Sequence, residues 1–289
     1  MKIKACSVCG SNQFIPLEQF KHAHLVKCSS CNLVFSELQP EHPELVDFYS
    51  EGYDLTKYFS PITEKRYLEL LEDFKVFRNT GKLLDIGCGF GFFLETAKRK
   101  GWDVIGLEIT NDAVEACSSK GLNMHHGTLE TAKFEDESFD VIVFIETIEH
   151  VIELDRLIKE IHRVLRPGGL VYLSTPNFNA LNRYRLQEKY DVIQYPLHLS
   201  YFTPKTLRRF FEKNGFTTKK ITSTGISKTR YKTSMGQSNQ EYVSETSDDE
   251  MLRYRIENNQ LLKSAKTAAN SVLNMFNVGE SIKGYFVKT

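Results

Sequence analysis

An α/β fold with a doubly wound, mostly parallel sheet, preceded by a small Cys-rich module, is predicted by three features of this 289-residue sequence. From Lys82 onward, short apolar runs alternate with amphipathic stretches, the pattern of a parallel sheet covered by helices. Phe139 to Ile145 (FDVIVFI) is a nearly continuous apolar run, as a strand buried on both faces requires. Cys6, Cys9, Cys28 and Cys31 crowd the N-terminus, and only Cys88 and Cys117 lie beyond them.

Residues 1–40 form the Cys-rich module. Residues 41–80 are a charged and aromatic helical connector with Tyr49, Tyr53 and Tyr58. Within it Tyr67, Leu68, Leu71, Phe74 and Phe77 fall near helical spacing, which predicts a helix over 64–77. The main domain, 81–223, opens with a strand from Lys82 to Ile86 that ends in a Gly-rich turn. A helix over Phe92–Lys100 closes at Gly101, and Asp103–Leu107 is the next strand. Thr110 or Asn111 caps a helix to about Ser119, ended by Gly121. Leu122–His125 and Phe139–Ile145 are further strands. Leu154, Leu157, Ile158, Ile161 and Leu165 mark a helix that Pro167-Gly168-Gly169 is expected to stop, before a strand at Leu170–Ser174. Thr203-Pro204 opens a helix carrying Leu207, Phe210 and Phe211, with Gly215 past its end. An insertion at about 178–202, rich in Tyr, is expected to cap the ligand side of the sheet. In the tail, 224–289, the segment 224–250 reads as a polar loop. Met251–Phe276 reads as one long amphipathic helix and Ile282–Val287 as a last strand.

Composition excludes several classes. Lys+Arg 37 balances Asp+Glu 37, so a sequence-blind nucleic-acid binder is not expected, because such binding needs many phosphate-neutralising cations. No apolar run approaches a membrane span. The start MKIKACSVCG has no apolar h-region, so a cytoplasmic protein is expected.

The main chemical motif is Leu83-Leu84-Asp85-Ile86-Gly87-Cys88-Gly89-Phe90-Gly91. An apolar strand reaches an acid and then a G-x-G-x-G turn that opens a helix, at the sheet edge where α/β folds bind ligands. Glu108 ends the following strand, where its carboxylate can accept hydrogen bonds from both ribose hydroxyls of an adenosine group. A dinucleotide turn is G-x-G-x-x-G; its third glycine would fall at residue 92, which is Phe. Asp85 also suits a cation better than a pyrophosphate. S-adenosylmethionine, with a sulfonium, an α-amino group and no phosphate, meets both conditions.

These residues, with FDVIVFIETIEHV, LRPGG and LVYLSTPN, resemble a Rossmann-like class I S-adenosylmethionine-dependent methyltransferase over roughly Lys82 to Thr222. The EHV, PGG and STPN details are similar to ubiquinone-biosynthesis O-methyltransferases and to sugar and natural-product methyltransferases. The resemblance implies that Asp85, Gly87, Cys88, Gly89 and Gly91 line the methionine end of the cofactor, and that Glu108 and Ile109 lie at the ribose. It implies that Leu129 and Glu130 border the adenine and that Ile145 and Glu146 flank the methyl-transfer site.

Cys6-x-x-Cys9 and Cys28-x-x-Cys31, eighteen residues apart, fit a zinc site of two knuckles in a zinc-ribbon-like module. Four thiolates close the coordination shell, so the Zn2+ is expected to be structural. Gly10 and Asn32 follow the pairs as tight knuckle turns would require.

A hydroxyl acceptor calls for a general base. His198, the one histidine of the insertion, and His150, after the fourth strand of the sheet, are the candidates. The expected activity is methyl transfer to a small-molecule acceptor, a sugar, a quinone-like compound or another secondary metabolite. The alternatives are an RNA- or protein-modifying methyltransferase with the zinc module as recognition element, and a non-catalytic adenosyl-binding scaffold. Residues 1–80 carry 9 Lys+Arg against 11 Asp+Glu, a poor footprint for RNA.

Overall fold

The computed structural model describes residues 2–40, 58–237 and 244–289. Tyr49 and Tyr53 of the connector lie outside the described residues.

The N-terminal module holds three short strands, β1 (Phe14–Pro16), β2 (Leu25–Cys28) and β3 (Val34–Ser36). Helix α1 (Pro61–Phe74) follows; Ser60 Oγ accepts from the Ile62 and Thr63 amides at its start. The main domain runs β4 (Lys82–Ile86), α2 (Phe92–Arg99), β5 (Asp103–Glu108), α3 (Asn111–Ser119), β6 (Asn123–His126), α4 (Leu129–Ala132), β7 (Phe139–Ile145), α5 (Leu154–Val164) and β8 (Leu165–Pro176). Then come α6 (Leu181–Leu186), β9 (Ser200–Tyr201), α7 (Pro204–Lys213), β10 (Phe216–Thr224), α8 (Lys228–Ser234), α9 (Asp248–Glu257), α10 (Gln260–Met275) and β11 (Ser281–Lys288).

Seven strands form the central sheet in the order β10-β11-β8-β7-β4-β5-β6. The ladders joining β4, β5, β6, β7 and β8 are parallel. β11 alone runs against its neighbours, antiparallel to both β8 and β10. The period of two along each strand sorts the core into two layers. Leu84, Ile142, Phe144, Val171, Leu173, Ile282 and Phe286 face one way and pack with α5 and α7. Leu83, Val141, Val143, Tyr172 and Tyr285 face the other way and pack with α1 and α2. The predicted α/β architecture with a mostly parallel sheet is therefore the one observed.

Four local expectations are corrected. Pro167-Gly168-Gly169 does not stop α5, which ends at Val164. The three residues lie inside the 12-residue β8, where the ladder to β7 slips between Phe139 and Val141. Gly168 has φ +70°, so the segment acts as a bulge rather than a turn. Segment 216–224, in which no strand is expected, forms β10, because β11 offers it an antiparallel edge. The loop expected over 224–250 includes α8, capped by Ser227 and tied by Asp249 Oδ1 to the Lys228 and Thr229 amides. The single long helix over 251–276 divides at Asn258-Asn259, where the Asn259 side chain caps α10 by accepting from the Leu262 amide.

The domain boundaries shift for the same reason. A cut at 223 would remove β11, which sits inside the sheet, so the sheet domain runs to the C-terminal strand. The module of residues 1–40 is not separate either. Its sheet is completed by β9 from the insertion, through Val34↔Tyr201 and Phe35↔Ser200. One side of the module packs Cys6, Cys28, Cys31, Leu33 and Phe35 into the cluster that contains Phe202 and Phe210. The other packs Phe20, Leu25 and Val34 against Leu186, Tyr190, Val192, Ile193 and Tyr201.

Candidate active site

The glycine turn leaves β4 at Ile86. The Gly87 and Cys88 amides donate to the Leu107 carbonyl at 2.8 and 3.2 Å, which ties the turn to β5. Gly87 has φ +70°, and a Cβ there would stand 2.5 Å from Thr147 Cγ2. Gly89 has φ +50°, and a Cβ there would meet nothing within 4 Å. The first glycine is thus required by packing and the second opens onto free space. Gly91 is the N-cap residue of α2.

Asp85 is buried at the base of this turn, 2% exposed. Its Oδ1 has no hydrogen-bond partner. Burial first, then the charge of Glu108 and the Cys117 thiol, raise its carboxyl to about 8. A buried acceptor left unmatched is costly and calls for an explanation. A cationic ligand supplies one, and the α-amino group and sulfonium of S-adenosylmethionine fit that need. Glu108 closes the other side. Its Oε2 accepts from the Gly89 amide at 3.1 Å, and its Oε1 from the Ile109 and Thr110 amides at 2.7 and 3.1 Å. Oε1 also accepts from Thr110 Oγ1 at 3.3 Å, whereas Oε2 holds the single Gly89 bond, so acceptor capacity for a ribose hydroxyl remains on Oε2.

The structure treats the adenine-side residues differently. Leu129 is 1% exposed and its side chain belongs to the core, so only its backbone can face a ligand. Glu130 is exposed and lines a surface cleft with Lys133, Arg156, Lys159 and Arg163. Its expected place at the adenine is corrected, because α4 turns its side chain towards α5.

At the carboxyl end of β7, Ile145 is half-buried and Glu146 is exposed. Glu146 has φ +53°, uncommon for a residue with a side chain. Its amide donates to the Ser174 carbonyl, and its Oε1 accepts from Ser174 Oγ at 2.7 Å and Ser281 Oγ at 3.4 Å. Surrounding protein raises its carboxyl above the ordinary range, against the opposing pull of the Ser174 hydroxyl and Arg230.

The two histidines lie behind Glu146. His150 Nδ1 pairs with the Leu197 carbonyl at 2.8 Å and His198 Nδ1 with the Val192 carbonyl at 2.7 Å. Since a carbonyl only accepts, the Nδ1 of each ring donates in these contacts when it carries a proton. The rings stand 4.7 Å apart. An oxygen of buried Glu149 and a nitrogen of each histidine lie within 4.8 Å of one another. Burial lowers His150 to about 4. Burial and the neighbouring His150 lower His198 to about 3. The insertion's Tyr190 and Tyr201 are buried against the module, and the Tyr190 hydroxyl donates to Glu280 at 2.8 Å.

Sequence reasoning missed several residues of the cleft. The Tyr67 hydroxyl, from α1, lies within electrostatic reach of Asp85 and Glu146. Arg230, from α8, stands 3.7 Å from Asp191 and also feels Glu280 and Glu146. Lys283 is the lysine within the otherwise mostly apolar run of β11, a signal visible in the sequence; Arg230 in its polar tail gave none.

In the module, the Cys6–Cys31 and Cys9–Cys28 sulfurs are each 3.5 Å apart, and all four lie within 4.8 Å of one another. A disulfide needs about 2.05 Å. A tetrahedron of sulfurs with Zn–S near 2.3 Å has edges of about 3.8 Å. The four sulfurs therefore fit a zinc ion. Gly10 at φ +75° and Asn32 at φ +66° make the expected knuckle turns.

This sheet order, with one antiparallel strand next to the edge, a glycine turn after its first strand and an acid ending its second, is that of class I S-adenosylmethionine-dependent methyltransferases. The chain belongs to the methyltransferase-domain family, whose match spans residues 58–221. It is 32% identical over 102 residues to a ubiquinone biosynthesis O-methyltransferase of Chelativorans sp., covering 33% of this chain and 40% of that protein. It is 28% identical over 157 residues to the human mitochondrial ubiquinone biosynthesis O-methyltransferase, covering 48% of this chain and 42% of that protein. The chain thus spans less than half the length of these relatives. Among solved structures, an Archaeoglobus fulgidus SAM-dependent methyltransferase shares the fold, with a TM-score of 0.54 at 19% identity over 85% of this chain and 99% of that one. No helix among the described residues is long and apolar enough to cross a membrane.

Proposed function

We propose that this chain transfers a methyl group from S-adenosylmethionine to a hydroxyl of a small-molecule acceptor. In this reading Asp85, Gly87, Cys88, Gly89, Gly91, Glu108, Ile109 and the Leu129 backbone hold the cofactor. The observation that carries it is the buried, unmatched Asp85 Oδ1 under a glycine turn whose middle residue opens onto free space. The cofactor brings the activated methyl group. The protein's own contribution is alignment, exclusion of water and removal of the hydroxyl proton. The relatives named above are O-methyltransferases by name, which supports a hydroxyl acceptor.

Glu146 is the better general base. It is exposed at the end of β7, and its pKa is raised above the ordinary glutamate range, the direction that favours a base. His198 and His150, the expected bases, are half-buried with Nδ1 held by backbone carbonyls, and their low pKa values make them poor proton acceptors near neutral pH. His198→Ala is accordingly expected to retain most of its turnover and to lose thermal stability. Steady-state kinetics and thermal unfolding check this. A fall in kcat matching that of Glu146→Gln would return His198 to the chemistry.

Calorimetry tests the cofactor assignment. S-adenosylmethionine should bind and NAD should not, because Gly91 comes one residue early for a pyrophosphate turn and the group beneath the turn is the Asp85 carboxyl, which supplies no positive charge for phosphates. Glu108→Ala should weaken cofactor binding by about 1–3 kcal/mol, the cost of unmatched hydrogen-bonding groups. Unchanged affinity would remove Glu108 from the site. The four cysteines hold one structural zinc in this reading, and metal analysis should find one per chain.

A further inference from the structure

We propose that the acceptor carries an anionic group, a phosphate or a carboxylate, and that Arg66 and Lys283 bind it beside the methyl-transfer site. Lys283 stands directly across the β11–β8 ladder from Ser174. Ser174 donates to Glu146, so Lys283 lies next to the proposed base. Two residues along the same face, Tyr285 bonds Asp73 of α1. Arg66 shares that side of α1, two turns back towards the mouth of the cleft. Lys266 and Arg253, from α10 and α9, add positive charge within electrostatic reach of Lys283.

Among the described residues no hydrogen bond or ion pair holds Arg66 or Lys283. The acids nearest Arg66 are engaged elsewhere. Glu257 pairs with Lys65 at 2.7 Å and with Lys266 and Lys263 at 3.6 and 3.8 Å. Glu250 accepts from Ser60 and pairs with Arg253. Both cations are half-buried. Burial, and then the charge of Arg66, hold the Lys283 ammonium below its ordinary pKa. Burial, and then Arg253, do the same to Arg66. Glu146 lies within electrostatic reach of Lys283 and Glu257 of Arg66, but neither acid is hydrogen-bonded to them; the two partly desolvated cations repel each other, and an oxyanion between them relieves that repulsion.

This inference rests on the reading of the cleft as the acceptor site, but its test does not use methyl transfer. Chain loaded with S-adenosylhomocysteine is titrated at low ionic strength with inorganic phosphate and, separately, with benzoate. At least one anion should bind. Lys283→Gln and Arg66→Gln should each weaken it by about 10- to 100-fold, as loss of a charge-assisted hydrogen bond does. S-adenosylhomocysteine affinity should stay unchanged, and Lys283→Arg should restore anion binding. The anion preferred identifies the acceptor group. If Lys283→Gln fails to fold, Arg66→Gln on α1 decides alone. Failure of both anions to bind, or binding undiminished in variants that keep cofactor affinity, overturns the proposal. Label from the cofactor appearing only on macromolecules would instead overturn the small-molecule reading.

Discussion

Glu146→Gln is expected to lower kcat by about 10²- to 10⁴-fold, the usual contribution of a positioned general base. Cofactor affinity should change little, because the hydrogen bonds of its carboxylate come from Ser174 and Ser281 and not from the glycine turn. The substitution preserves size and the acceptor oxygen that Ser174 and Ser281 donate to, and removes only the capacity to take a proton. The left-handed backbone at Glu146 supports this role, since a strained dihedral on a residue with a side chain persists where surrounding structure enforces it. The sign of the pH dependence follows. The base works when ionised, so kcat/KM should fall as pH drops through the Glu146 pKa. Desolvation of the carboxyl by the surrounding protein raises that pKa, so the acid limb should lie above the ordinary glutamate value of about 4.3 and vanish in the variant. A parent profile with a limb near 3 to 4 would point back to the histidines.

Cys28→Ser, or removal of zinc by a chelator, should destabilise the whole chain and abolish cofactor binding in one cooperative transition. A four-thiolate zinc site contributes on the order of 10 kcal/mol to folding, comparable with the entire stability of a typical domain, about 5–15 kcal/mol. A module joined by a linker would lose that energy locally. Here Cys28, Cys31, Leu33 and Phe35 belong to the same buried cluster as Phe202 and Phe210, and β3 holds β9 by its ladder. The Leu199 amide, just before β9, donates to the carbonyl of Glu149 in the segment after β7. Loss of the knuckles therefore loosens the segment that carries His198 and reaches the active-site loop. Calorimetry with and without chelator, beside cofactor titration, checks this. Two separate transitions, with cofactor binding kept, would show an independent module.

The sequence by itself determined the features that depend on neighbouring residues. Strands β4 and β7 match their predicted limits, because their apolar runs are bounded by turn residues that allow no other register. The glycine turn, Asp85 and Glu108 were legible because a strand end, a tight turn and a helix start are local events. The four cysteines were legible because two short spacings suffice for two knuckles, and Gly10 and Asn32 supply the left-handed turns. Only the tertiary structure decided what depends on distant partners. β10 exists because β11, some sixty residues later, gives it an edge to pair with. β9 exists because the N-terminal module offers β3. Glu130 left the adenine side because α5 packs beside α4, and the histidines lost their strength as bases because burial penalises the charged imidazolium. Tyr67, Arg230 and Lys283 all come within electrostatic reach of Glu146 although they are spread over more than two hundred residues. Charge and burial at such a place are set by folding, and no periodicity along the chain records them.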